Sequence, residues 1–191
     1  MSTGIRFYVY DETYGHAEDD WEQKSEAFKK GLEAEYKLPF EYDDIGTGAS
    51  APAFFATLMD LVPYAAPIAI FFAGKKIEEN LDAWGKIYVR LKKFLNRNPT
   101  LDMQGASVLA VQSITTSMGK VPTFIQLTGY CADSAMNQPF EELCKDRTKL
   151  TEIDKPTRLV DSTIHVFQIE ADDRLFKIFV FRTEVKLLEL K

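Results

Sequence analysis

The stretch from Ala51 to Gly74, APAFFATLMDLVPYAAPIAIFFAG, holds 24 residues and one charge, Asp60. No other feature constrains the chain as strongly, because about 20 apolar residues are enough to span a bilayer as a helix. Its own residues argue against a span. Asp60, near the middle, costs roughly 2.5–3.5 kcal/mol on an insertion scale. Pro63 and Pro67 interrupt a helix and leave only Ile68 to Gly74 unbroken. The alanines add little to insertion. The expectation is a buried helix, or two helical pieces broken near Pro63, packed between a sheet and the helix that follows. Entry of residues 51–74 into a membrane is the alternative.

That following helix is predicted over Ile77 to Leu95. Ile77, Leu81, Trp84, Tyr88, Leu91 and Leu95 step by alternating four and three and form one apolar seam. Glu78, Glu79 and Asp82 come early and Lys86, Arg90, Lys92 and Lys93 late, which matches the helix dipole. Trp84, Tyr88 and Leu91 are candidate contacts for a partner helix if the apolar segment leaves the seam uncovered.

On either side of this pair the pattern is mixed. Ile5 to Asp11 (IRFYVYD) reads as a strand. A helix is expected from Asp19, with Glu22 at capping-box spacing and Trp21, Phe28, Leu32 and Tyr36 on one face, ending before Pro39. Phe40 to Ile45 is a second strand, which gives β-α-β, and Gly46 to Ser50 is a flexible junction. Ala106–Thr115 and Val121–Gly129 read as a hairpin around Gly119, Asn137–Thr148 as a short helix, and Ser162–Glu170 with Arg174–Arg182 as a second hairpin across Ala171-Asp172-Asp173. The last strand, apolar on both faces, belongs in the centre of its sheet. The expected fold is α+β: a mixed or antiparallel sheet of about five to six strands carrying a buried apolar helix and an amphipathic one. A single domain spans 1–191, with β-α-β and the helical pair in 1–100 and the hairpins in 101–191.

Composition narrows the function classes. Hydrophobic residues at 46% and aromatics at 13% suit a packed core, and 191 residues are enough to enclose one. A net charge of −6 argues against nucleic acid as a partner, since phosphate backbones need clustered positive charge. Two cysteines, Cys131 and Cys144, and no basic-then-apolar start to the chain point to a reduced, cytoplasmic protein.

Four carboxylates are the main chemical candidates. Asp11 and Glu12 end the first strand and Asp43 and Asp44 the second. If those strands are parallel neighbours, the acids meet at the sheet's C-terminal edge, where Asp11, Asp43 and Asp44 would form a Mg²⁺ site. The plain alternative is acidic residues leaving strands into solvent. No other cofactor is expected. His16 and His165 lack the nucleophile context of a catalytic triad, and His165 alternates with Phe167 and Ile169 as a sheet histidine would. Met118-Gly119-Lys120 fails as a phosphate loop, because Ile114 and Val121 stand where glycine and Ser/Thr are required. Gly46-x-Gly48 fits better as the entry to a buried helix than as a dinucleotide fingerprint. Lys86, Arg90, Lys92, Lys93 and Arg97 read as a solvated basic face, with phosphate contact as the alternative.

The order strand, helix, strand, Gly46-Thr47-Gly48-Ala49-Ser50 turn, apolar segment and Trp84-containing helix resembles the effector-associated constant components of bacterial conflict systems. The resemblance covers about Ile5 to Thr115. It implies an adaptor that couples other proteins, with no catalytic residues to transfer. The functional expectation is therefore a non-enzymatic interaction, accessory or immunity protein with a protein partner. The alternatives are a metal-dependent phosphoryl-transfer or hydrolase domain using the acidic strand ends, and a membrane-inserting protein using residues 51–74.

Overall fold

The computed structural model describes residues 4–11, 20–43, 53–58, 65–79, 81–134, 140 and 163–190. The fold is α+β, built on two four-stranded antiparallel sheets. The first sheet has the order β2-β3-β1-β4, with β1 at Ile5–Tyr10, β2 at Glu41–Asp43, β3 at Ala53–Leu58 and β4 at Thr100–Leu101. The second has the order β5-β6-β7-β8, with β5 at Ile125–Ser134, β6 at Thr163–Ala171, β7 at Arg174–Phe181 and β8 at Glu184–Leu190.

Alternation in β1 sends Ile5, Phe7 and Val9 to one face, opposite Leu58, Ala56 and Phe54 of β3. Helix α1, Trp21–Tyr36, lies on that face. Phe28 packs on Phe54 with ring centroids 5.6 Å apart, and Tyr36 on Phe7 at 5.5 Å. Trp21, the first residue of the expected seam, stays 40% exposed. The helix stops where Lys37 turns left-handed (φ 56°), and the Glu33 carboxylate then accepts from the Phe40 amide at 3.1 Å, closing the chain toward β2. The expected Asp19 cap lies outside the described residues.

The apolar segment is not a buried helix. It divides into β3 and an eight-residue helix, α2 (Ala65–Phe72), with Pro67 in the first turn. Strand β3 is covered on both faces, so its apolar run carries no two-residue alternation and cannot be told from a helix by period. Its insertion also changes the reading of β1 and β2. They run parallel to each other, but β3 lies between them and is antiparallel to both. The β-α-β unit of adjacent strands does not form.

Helix α3 spans Asp82–Leu91 and is shorter than the seam that predicted it. At its start Ile77 instead exchanges backbone hydrogen bonds with Ile125 of β5, at 2.9 and 3.0 Å. At its end Lys92–Phe94 tightens into a 3₁₀ turn. The seam does meet the apolar segment. Phe71 of α2 packs edge-on against Trp84 of α3 at 5.2 Å.

Residues 106–115, expected as a strand, lie inside helix α4, Met103–Met118. The Asp102 carboxylate caps it by accepting from the Gly105 amide at 2.8 Å, and Gly119 at φ 68° ends it. Gly105, Ala106, Ser107 and Ala110 are buried, and their small side chains suit a helix that packs on β1 as well as on β6, β7 and β8. A Cβ on Gly105 would lie 3.1 Å from the Ile5 side chain and 3.2 Å from that of Leu101. One apolar cluster consequently runs from Ile5, Phe7 and Phe54 through Val108 and Val111 to Phe167, Phe176 and Ile178.

The hairpin of β6 and β7 forms as expected, with Asp172 and Asp173 at positive φ in its two-residue turn. β7 lies between β6 and β8, which explains its two apolar faces. β8 has no counterpart in the sequence reading, and β5 begins four residues later than expected. The outer face of this sheet carries a second cluster, Ile164, Val166 and Phe179, with Phe140 stacked on Phe181 at 6.3 Å. The rest of the expected 137–148 helix lies outside the described residues.

Candidate functional site

Four separated segments enclose a cleft of about 300 Å³ at the C-terminal end of β1. They are Tyr8 to Asp11, Phe28 of α1, Arg97 to Pro99 ahead of β4, and Arg182 in the turn between β7 and β8. Both sheets thus contribute. Backbone geometry holds the turns in place. Asn98 (φ 48°) and Arg182 (φ 53°) are left-handed, and Asn98 Oδ1 accepts from the Thr183 amide at 3.2 Å and from the Thr183 hydroxyl.

Arg97, Arg182 and Asp11 are the charged residues among those that line it. Glu35 fixes Arg97: Nε donates to Oε2 at 2.7 Å, and Asn96 donates to Oε1 at 2.9 Å. Asp11 is 4% exposed and Tyr8 8%. Burial, followed by the field of Asp102, pushes the Tyr8 phenol above its ordinary pKa, so it serves as a neutral hydrogen-bonding group.

The expected acidic cluster is only partly assembled. Tyr10 and Asp43 both face Ala53 from opposite sides, so Asp11 and Asp43 lie at the same end of the sheet with β3 between them. Asp44 and Glu12 lie outside the described residues. Among the described residues, no three His, Cys, Asp or Glu side chains converge as a metal site would require. The expected partner contacts fall mostly in the core. Trp84 is 2% and Leu91 0% exposed, covered by α2 and its surroundings, while Tyr88 is half-buried. Among the described residues no helix is long and apolar enough to cross a membrane.

Two titratable side chains join elements. Asp102 links the α4 cap to β1, accepting from the Arg6 amide at 3.0 Å, and desolvation raises its pKa to about 6. His165 bridges Tyr130 and Leu101, and burial lowers its pKa to about 4. His16 and Cys144 lie outside the described residues, and Cys131 is half-buried in β5.

A second surface feature is the outer edge of β8. Seven residues pair with β7 without a register break and occupy the end of the described sheet. Leu188 is 36% exposed there. The other edges are shorter or engaged: β2 has three residues, β4 two, and β5 carries the Ile77 bridge.

Neither Arg182 nor the β8 edge was legible as a site, since arginine is no turn signal and β8 was not read as a strand. Asn98-Pro99 does carry a turn signature. No protein-family model, curated protein or solved structure matches the chain.

Proposed function

We propose that the chain is a non-enzymatic interaction protein that takes up an extended segment of a protein partner along the edge of β8. The observation that carries this reading is the edge itself. Globular proteins blunt long edge strands with proline, bulges, brevity or charged side chains, because their outward amides and carbonyls template pairing, and of these devices β8 carries only charges. β8 has seven residues, no proline and no register shift, and Leu188 stands exposed beside the charges of Lys186 and Glu189. Strand addition at such an edge draws affinity from main-chain bonds and selectivity from alternate side-chain contacts. The structural employment of Asp102 and His165 supports the same reading, since both groups are spent on joining elements rather than on facing the cleft.

The test compares tagged wild-type chain with Leu188→Lys, a change at an exposed site that places a second lysine on the edge. Each is used to capture partners from native extract, followed by cross-linking and mass spectrometry. The expected result is a partner cross-linked through Lys186 and recovered about tenfold less by Leu188→Lys. Equal recovery by both proteins, or cross-links confined to surfaces away from β8, would refute the edge as the binding surface.

A further inference from the structure

We propose, independently of strand addition at β8, that a second copy of this chain packs antiparallel on the open side of α2, in a two-fold dimer that pairs Lys75 of each copy with Glu79 of the other. From Ala66 to Ala73 the chain carries no polar side chain. Ile68, Phe71 and Phe72 are buried. Ala66, Ala69, Ile70 and Ala73 are exposed, Ile70 at 43%. These four positions are three or four residues apart, so they form one stripe along the outer side of the helix. A surface helix ordinarily carries polar residues on that side, and a helix apolar all round is ordinarily enclosed. Val89 makes the contrast. It is more exposed, but Lys86 stands three residues before it and Lys93 four after, and apolar exposure of that isolated kind needs no partner.

The rim of the stripe says what covers it. A groove of about 400 Å³ runs beside α2, lined by Ala66, Pro67, Ile70 and the chain from Lys76 to Glu79. Glu79 shares this groove with the first turn of the helix, whereas Lys75 follows the last turn, its amide donating to the Ile70 carbonyl at 3.4 Å. Lys76 is engaged by Glu78 at 2.8 Å and by the Phe124 ring at 4.0 Å. Lys75 and Glu79 are both exposed, and neither side chain has an ion pair among the described residues. A two-fold axis near Ile70 lays Ile70 on Ile70 and Ala66 on Ala73, and the small alanines let the two helices approach closely. The same operation brings each Lys75 to the end of the partner helix where Glu79 stands, and it does so twice, as an isologous contact must. Glu78 and Glu79 disfavour an anionic lipid surface as the occupant, and a helix of about 12 Å is too short to enter a bilayer. An eight-residue helix and its rim fall short of the roughly 800 Å² per partner of a standard interface, so the dimer is weak and depends on concentration.

Sedimentation velocity of the full chain, from micromolar to near-millimolar concentration, should show a monomer–dimer equilibrium with a midpoint of about 10–100 µM. Ile70→Lys, at an exposed site, should weaken the dimer at least about tenfold while the dilute monomer melts as wild type does. Lys75→Glu and Glu79→Lys should each weaken it several-fold, because each sets like charges against each other. The double variant Lys75→Glu/Glu79→Lys restores opposite charges across the two-fold and should recover wild-type affinity. Leu188→Lys should leave the dimer intact, which separates this contact from self-pairing along β8. A monomer at every concentration, a dimer indifferent to Ile70→Lys, a double variant no better than either single one, or a dimer lost in Leu188→Lys would overturn the proposal. So would a chain that stays monomeric and floats with phosphatidylcholine vesicles, a result that would assign this face to lipid.

Discussion

The imidazole of His165 donates from Nε2 to the main-chain carbonyl of Leu101 at 3.0 Å, so a side chain of one sheet is bonded to the backbone of the other. A carbonyl only accepts, which places the ring proton on Nε2 and leaves Nδ1 to accept from the Tyr130 hydroxyl at 2.8 Å. All three groups are buried. His165→Leu removes the bridge and strands both a hydroxyl and a carbonyl, and should cost about 2–4 kcal/mol in urea denaturation. His165→Leu combined with Tyr130→Phe should recover part of that loss, because one stranded group is gone.

Asp102 and His165 also oppose each other in pH dependence. Burial lowers the His165 pKa to about 4, so the folded state binds fewer protons than the unfolded chain, and its stability contribution is lost as pH falls from about 6.5 toward 4. Desolvation raises Asp102 to about 6, so the folded state binds more protons, and its contribution is lost as pH rises from about 4 through 6. Asp102 as a residue is only half-buried, so its effect is the smaller. Asp102→Asn should therefore steepen the gain in stability between pH 4 and 6.5, and His165→Gln should reverse the slope. Melting temperatures across that pH range check both.

The β6–β7 turn is pinned from outside by its own aspartate. The Asp172 carboxylate accepts from the Thr123 amide and hydroxyl, both at 2.6 Å, and from Lys120 Nζ at 2.9 Å, and these bonds hold its pKa well below the usual carboxylate range. Asp172→Gly keeps the backbone of the turn but deletes these acceptors, and should destabilise the protein by about 1–2 kcal/mol at neutral pH. A depressed folded pKa means the contribution is lost as pH falls, so the difference from wild type should shrink in acid.

Phe71 is fully buried and meets both Phe72 and Trp84, at 5.4 and 5.2 Å. Phe71→Ala should cost about 3–5 kcal/mol through lost burial and the cavity left beside α3. Val89→Ala, on the exposed side of the same helix at 62% exposure, should change stability by less than about 0.5 kcal/mol.

What the sequence discloses follows from how each segment is covered. Alternation in β1 and the apolar seam of α3 are legible because each has one buried side. β3 and α4 are not, because both are enclosed nearly all round, and the period that separates strand from helix disappears. A two-residue period read over Ala106 to Thr115 suggested a strand in α4. The decisive signs were at its ends, Asp102 as a cap and Gly119 as a stop. In β8 the adjacent pair Leu187-Leu188 breaks the alternation that would mark a strand. Of the cleft, Asp11 was visible as an acid ending a strand, whereas Arg182 depends on a backbone angle that residue type does not reveal.

Native-state hydrogen exchange of the full chain tests most directly the account that two sheets close around α4 and that β8 is the outer strand of its sheet among the described residues. The account predicts that amides of Val108 to Ile114 and those along β6 and β7 exchange only through global unfolding. Alternate amides of β8 should exchange orders of magnitude faster, because every second one points away from β7. Fast exchange throughout α4, or protection of every β8 amide at the level of β7, would contradict it.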